Sequence, residues 1–265
     1  MSFLTVENLS YKARKNLILD EVNVEFSNKG FYSIIGPNGS GKTTFIRHLV
    51  RALEVQQGKI CLEGRSINKY KPKEFAYKIS YVPQLMSFQM DFTCYDVVMM
   101  GRSYLKKAFS LETAGDRETA EEAMRLTDIL HLKDRSIREL SGGERVRVFL
   151  ARALSQDAQC IILDEPLAHL DINHQLNLMK LLRKINEEKG KTIIIVCHDI
   201  NMALKFSHEI LVFKNGKLEG KFKPRELLDA ELLNRVYHLD LNSENINVQE
   251  MLINFYGNFQ NLMFK

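Results

Sequence analysis

The chain has 265 residues, 45% of them hydrophobic and 26% charged, close to the averages for globular proteins, which excludes wholesale disorder and a fibrous repeat. A formal net charge of +4 is too small to argue for nucleic acid, which calls for a strongly basic stripe. The longest apolar runs, such as 193–197, fall far short of the ~20 residues a spanning helix needs, and the first seven residues lack the pattern of a signal peptide. Composition therefore suits one large cytoplasmic unit. The charge is uneven: residues 1–87 carry 13 Lys+Arg against 7 Asp+Glu, whereas 156–265 carry 13 against 15. A basic first third fits an anion site, or merely a solvated face. Cys61, Cys94, Cys160 and Cys197 stand far apart with no metal-ligand spacing, and are expected to be buried, inert thiols.

In chain order, residues 3–9, 22–26 and 31–35 read as strands rich in Val, Ile and Phe. Gly36-Pro37-Asn38-Gly39-Ser40-Gly41-Lys42-Thr43-Thr44 follows, then a helical pattern in Phe45, Leu49 and Leu53. Residues 59–63 and 79–82 are further strands. From 88 to 155 strand signals disappear, and Val97, Val98, Ala123, Leu126 and Leu130 recur at helical spacing. Alternation then returns: strand 160–163, a helix with Leu178, Leu181, Leu182 and Ile185 on one face, strand 192–196, and a hairpin turning at Asn215-Gly216. Such alternation predicts a mostly parallel sheet covered by helices, with 88–155 as an inserted helical part. At the end of the chain, Val248, Leu252, Phe255, Phe259 and Leu262 form one helical stripe.

The glycine-rich run is a P-loop. Its glycines allow consecutive N–H groups to point at phosphate oxygens, the following helix aims its positive end at the same anion, Lys42 reaches the outer phosphates and the Thr43 hydroxyl suits Mg²⁺. Asp164 and Glu165 end an apolar strand at the carboxyl edge of the sheet, where open α/β folds bind ligands. Asp164 would hold the metal and Glu165 polarise the attacking water. Leu140-Ser141-Gly142-Gly143-Glu144 precedes a helix, either as a second anion-binding nest or as a plain N-cap. His198 follows a buried strand, a place that suits a γ-phosphate contact and equally a structural histidine.

Taken together, these motifs resemble the ATP-binding-cassette (ABC) ATPases over about residues 3–220. The resemblance implies an α/β P-loop NTPase fold with a mostly parallel core sheet, an antiparallel β subdomain and an inserted helical subdomain. It divides the chain into 1–87 (first part of the nucleotide-binding core), 88–155 (helical subdomain), 156–240 (second part of the core) and a tail, 241–265. It makes Tyr11 the aromatic on adenine, Gly36 to Thr44 the Walker A loop, Gln84 the Q-loop glutamine, Ser141, Gly142 and Gly143 the signature, and Asp164 and Glu165 the Walker B acids. Asp171 falls in the D-loop and His198 is the switch histidine. ATP with Mg²⁺ is then expected, Thr43, Gln84 and Asp164 ordering the ion and water, Glu165 acting as base, and Lys42 and His198 on the phosphates. Partners are a second copy of the chain, integral-membrane permease subunits and, indirectly, a substrate-binding protein, with no nucleic acid; the place is the inner face of the cell membrane.

Within the family the chain looks most like the ATPases of importers for iron–siderophores, haem and cobalamin. The supporting stretches are Val97-Val98-Met99-Met100-Gly101-Arg102, Leu170-Asp171-Ile172-Asn173-His174-Gln175 and His198-Asp199-Ile200-Asn201-Met202-Ala203. Zinc or manganese importers, exporters and, further off, non-transport ABC ATPases are the alternatives. Glu144 replaces the commoner Gln, and Ala168-His169 the commoner small pair. Met86, Met90, Met99 and Met100, clustered after Gln84, suit either a groove for a helix of another chain or ordinary packing.

Overall fold

The computed structural model describes residues 2–84, 91–105, 112–168 and 170–228. In chain order they form β1 (Ser2–Ala13), β2 (Asn16–Ser27), β3 (Phe31–Ile35), α1 (Lys42–Leu49), β4 (Gln57–Leu62) and β5 (Arg65–Ser66). Next come α2 (Pro72–Ala76), β6 (Ile79–Val82), α3 (Cys94–Met99), α4 (Ala114–Leu126), α5 (Gly142–Ser155) and β7 (Cys160–Leu163). The series closes with α6 (Ile172–Lys189), β8 (Thr192–Val196), α7 (Ile200–Phe206), β9 (Glu209–Lys214) and β10 (Lys217–Phe222). Two compact units result: Met1–Ser66 with Ile194–Lys265, and Ile67–Ile193.

In the first unit β1 pairs antiparallel with β2 and β4, giving a four-stranded sheet of order β2-β1-β4-β5. Along β2, Leu19, Val22, Val24 and Phe26 are buried while Glu21, Asn23 and Glu25 are exposed, so the register is fixed by one buried face. β1 and β2 run well past the predicted strands. Register shifts flank Leu9 and Asn8 takes φ 48°, so a bulge interrupts the alternation where the sequence pattern stops. A second set of strands follows the order β10-β9-β3-β8, with β3 parallel to β9. All five residues of β3 are buried, as a strand covered on both faces requires. The β9–β10 turn places Asn215 at φ 48° and Gly216 at φ 80°, both left-handed, which is what the Asn-Gly pair is suited to.

In the second unit β6 runs parallel to β7, Ile79 opposite Cys160 and Val82 opposite Leu163, which brings both strands to a common carboxyl end. Helices α3, α4 and α5 pack together around Val97, Val98, Ala120, Ala123, Met124, Val148 and Leu150, all buried. Thr93, Thr113 and Ser141 cap them, each paired with an acid three residues on. Among the described residues of 88–155 there is no named strand, in line with the sequence pattern. α1 stops at Leu49, short of Leu53, because Arg51 takes φ 60°. The stripe from Val248 to Leu262 lies outside the described residues.

Candidate functional site

The P-loop is built by close approach of backbones. β3 delivers the chain to Gly36, whose φ of 143° and whose position beside the Phe213 carbonyl leave no room for a side chain: a Cβ would lie 2.0 Å from that oxygen. Gly41, at φ 100°, packs on the Ile18 carbonyl, 2.9 Å from where a Cβ would stand. The Gly216 amide donates to the Ser40 carbonyl (3.1 Å), and the Asp20 amide to the Gly216 carbonyl (2.9 Å), so the β9–β10 turn braces both the loop and β2. Lys42 is buried, its Nζ donating to the carbonyls of Gly36 (2.9 Å) and Pro37 (2.8 Å). Ser40 is 3% exposed, and its Oγ has no hydrogen-bond partner among the described residues. A buried hydroxyl without a partner and an open space at Gly39 fit a bound polar anion.

Tyr11, in the same unit, lies half-buried on β1. Its ring meets His48 of α1 edge-on, centroids 4.7 Å apart. His48 is itself buried, its Nδ1 2.8 Å from the Thr44 carbonyl oxygen, and burial holds its pKa below the ordinary imidazole value. The neutral ring braces Tyr11 from behind. His198, also of this unit, is exposed at the end of β8, and Asp199 caps α7 through the amides of Asn201 (2.8 Å) and Met202 (3.4 Å).

In the second unit, Asp164 is 1% exposed at the end of β7, and the Tyr81 hydroxyl donates to its Oδ2 at 3.3 Å. Glu165 takes φ 50°, a left-handed conformation it shares with Glu21, Glu63, Asp128 and Asp157. The Gln84 amide donates to Glu165 Oε2, so within this unit Gln84 is brought to the second acid.

Ser141 caps α5. Its backbone N–H (2.9 Å) and its hydroxyl (2.7 Å) both donate to Glu144 Oε2, which holds that carboxyl below the usual range, the Ser141 hydroxyl being the larger cause. Gly142 and Gly143 lie against the start of α6 and the residues before it: a Cβ on Gly142 would be 3.8 Å from Leu170 Cδ2, and one on Gly143 3.0 Å from His174 Cδ2. Asp171 caps α6 by accepting from the His174 amide (2.9 Å), and its Oδ2 lies 2.6 Å from His174 Nδ1. These bonds, the backbone one first, keep the Asp171 carboxyl below its usual value.

Other sequence features prove to be internal packing. Gly101 has no space for a Cβ, which would stand 2.2 Å from the Arg152 carbonyl oxygen, and Arg102 pairs with Asp116 and donates to the Ser155 carbonyl. Met99 is buried and Met100 half-buried, which counts against a groove lined by those two; Met86, Met90 and His169 lie outside the described residues. Cys94, Cys160 and Cys197 are buried as expected, whereas Cys61 is only half-buried. His48, Tyr81, His174 and Gly216 stand outside the site residues expected from the sequence; of these, Gly216 had a local signal, the Asn-Gly turn, and His174 stood in a stretch that carried the family resemblance.

Residues 19–168 match the ABC transporter family model. The ferric enterobactin transport ATP-binding protein FepC of Escherichia coli K12 is 36% identical, the match covering 88% of this chain and 86% of FepC. The petrobactin import ATP-binding protein FpuC of Bacillus anthracis is 35% identical over 90% of this chain and 88% of its own. Among solved structures, the dimeric post-hydrolysis state of the cassette MJ0796 bound to ADP and Pi superposes with a TM-score of 0.73, at 29% identity, over 84% of this chain and 99% of that one. The chain belongs to the ABC transporter family: it has the P-loop NTPase fold and is an ATPase.

Proposed function

We propose that this chain is the ATP-hydrolysing subunit of an importer for iron–siderophore, haem or cobalamin complexes. It works as a homodimer beneath separate integral-membrane permease subunits, at the inner face of the cell membrane, and engages a substrate-binding protein only indirectly. The observation that carries the ATPase part is the presence of two anion-suited loops in one chain, Gly36 to Thr44 and Ser141 to Gly143, together with the Gln84–Glu165 pair. The importer part rests on relatives named for ferric enterobactin and petrobactin transport. No helix among the described residues is long and apolar enough to cross a membrane, so in this reading the span belongs to other chains.

Each ATP would lie between the P-loop of one copy and the signature loop of the other, an isologous arrangement closed by two nucleotides. Tyr11 stacks on the base; Lys42 and the amides of Gly36, Asn38, Gly39, Ser40, Gly41, Thr43 and Thr44 neutralise the phosphates, while Pro37, which has no N–H, shapes the loop; Ser141, Gly142, Gly143 and Asp171 complete the site from across the dimer. The hydroxyl of Thr43, the amide oxygen of Gln84 and the carboxylate of Asp164 are hard oxygen donors of the kind Mg²⁺ takes. Asp164 is 1% exposed and its carboxylate accepts from the Tyr81 hydroxyl, and a buried carboxylate of that kind suits an ion that also keeps phosphate and water in its shell. When bound, the ion offsets charge on the phosphate oxygens. Glu165 accepts a proton as water attacks the γ-phosphorus and the bond to the β-phosphate oxygen breaks, with His198 on the γ-phosphate. The helical part, 88–155, carries the signature loop as an inserted subdomain.

Glu165→Gln is the test. It should bind ATP and dimerise while turnover falls by about 10²-fold or more; turnover near the parent rate would remove Glu165 from the base role. Ser141→Ala should lower activity and leave nucleotide binding by the single copy intact, whereas loss of that binding would overturn the assignment in trans. Deletion of the gene should impair growth on a ferric siderophore, haem or cobalamin, and unchanged use of all of them would end the importer reading.

A further inference from the structure

Gly143 is glycine for a reason outside its own loop. Its φ is not left-handed, so backbone conformation does not demand glycine there; the space a Cβ would fill is taken by the imidazole of His174, with Cδ2 at 3.0 Å, Cγ at 3.5 Å and Nε2 at 3.6 Å from that point. On its other side the ring is held by Asp171, at 2.6 Å from Nδ1, and the second carboxylate oxygen takes the backbone N–H of the same residue. Both oxygens of the D-loop acid therefore engage one residue, and that residue bears on the signature loop. The His174 side chain is 53% exposed, too open for its placement to be explained by burial in a core.

We propose that His174 is a positioning residue that links the D-loop to the signature loop. Asp171 orients the imidazole, and the Cδ2–Nε2 edge of the ring sets where Gly143 and its amide stand. The inference rests on the reading above, in which that loop faces the nucleotide of the second copy, and it adds a residue that this reading leaves without a role. A shift of the loop by a fraction of an ångström changes how its amides meet a phosphate oxygen, and such misplacements act on turnover more than on binding by the P-loop. His174→Asn separates the two halves of the link. Asparagine can still donate to Asp171, but has no ring edge to lay on Gly143.

The experiment uses the full chain and steady-state ATPase kinetics, with binding of a fluorescent ATP analogue as the second readout. His174→Ala is expected to lower kcat about tenfold with KM and analogue binding within about twofold, and His174→Asn to stay equally low. Gly143→Ala should be damaging in the parent and less so in the His174→Ala background, where the ring it would strike is gone, so that the two losses do not multiply. His174→Ala with kcat within about twofold of the parent, full rescue by His174→Asn, or losses that multiply would each overturn the proposal. If Ser141→Ala is silent as well, the reading of the signature loop fails with it; if Ser141→Ala is impaired and His174→Ala is not, this inference fails alone.

Discussion

Arg102 offers the sharpest test of the physical reading, because it belongs to the Gly101-Arg102 pair by which the sequence resembled a particular branch of importers. In the fold its guanidinium bridges two helix ends. Nε donates to Asp116 Oδ1 at 3.1 Å, and Asp116 closes the capping box of α4 by accepting from Thr113; a second nitrogen donates to the Ser155 carbonyl at 2.7 Å, at the end of α5. The cation thus complements a carbonyl-rich C-terminus and an acid at an N-terminus. Both side chains are largely buried, 13% and 9% exposed. Breaking a buried pair typically costs about 3–5 kcal/mol, and Asp116 keeps both Thr113 donors, so Arg102→Ala should cost about 2–3 kcal/mol. In a chain of this size that lowers Tm by about 5–10 °C.

With no Trp in the chain, far-UV circular dichroism during urea or thermal unfolding is the suitable assay. A pH series adds a second check. The Asp116 carboxyl is held below its ordinary value, by the Thr113 hydroxyl first and by Arg102 as well. Its contribution is therefore complete above the unfolded value of about 4 and is lost as pH falls through the lower native one. Removing Arg102 weakens the depression, so the gap between parent and variant should narrow below about pH 4, leaving the part due to the bond to the Ser155 carbonyl, which does not titrate. A variant within about 0.5 kcal/mol of the parent, or curves that stay parallel down to acid unfolding, would refute the bridging role.

Tyr11→Ala should weaken nucleotide binding about tenfold, as loss of one base stack does, with kcat at saturation little changed; unchanged affinity would remove Tyr11 from the base. Gly216→Ala places a Cβ 2.6 Å from the Ile18 carbonyl oxygen at φ 80° and should cost about 2 kcal/mol in unfolding assays while also weakening ATP binding, since the turn holds the Ser40 carbonyl. Neutral stability for that variant would mean the turn does not brace the loop. Under native conditions a thiol reagent should modify Cys61 and spare Cys94, Cys160 and Cys197, because burial raises the pKa of the last three, that of Cys197 to about 12. Rapid labelling of Cys197 in the folded protein would contradict its placement.

What the sequence made legible was local. β3, β6, β7 and β8 are short β-branched runs bounded by turn residues, and a strand buried on both faces needs nothing else to announce itself. The P-loop was legible because its chemistry lies within nine consecutive residues. The full lengths of β1 and β2 were not, since the bulge at Asn8 breaks the period of two that a reader follows; Gly58, whose Cβ would lie 2.4 Å from the Asn8 carbonyl oxygen, packs against that bulge from β4. Tyr81 beside Asp164, His48 behind Tyr11 and His174 on Gly143 are pairings across tens of residues. No single-sequence pattern encodes such contacts, because they arise only when strands and helices are laid side by side.

The plain N-cap and the anion nest were rival readings of Ser141, and the capping pattern shows the first: Ser141 caps α5 and Glu144 closes the box. Of the helices in the described residues, α2 to α7 each begin with a side-chain cap or with an acid reaching back to the cap. Helix α1 begins with Gly41, has no side-chain cap and carries no acid in its first turn. A helix start without its own counter-charge is the one best suited to an outside anion. At α5 the Glu144 carboxylate already takes the N–H and the hydroxyl of Ser141, so a phosphate arriving there competes with a resident acid. The same physical chemistry therefore ranks the two loops. The P-loop is suited to holding the nucleotide in one copy, while the signature loop is suited to a weaker contact made only when a second copy presents a phosphate already bound. In the proposed cycle, this difference lets the two copies part again once the γ-phosphate is cleaved.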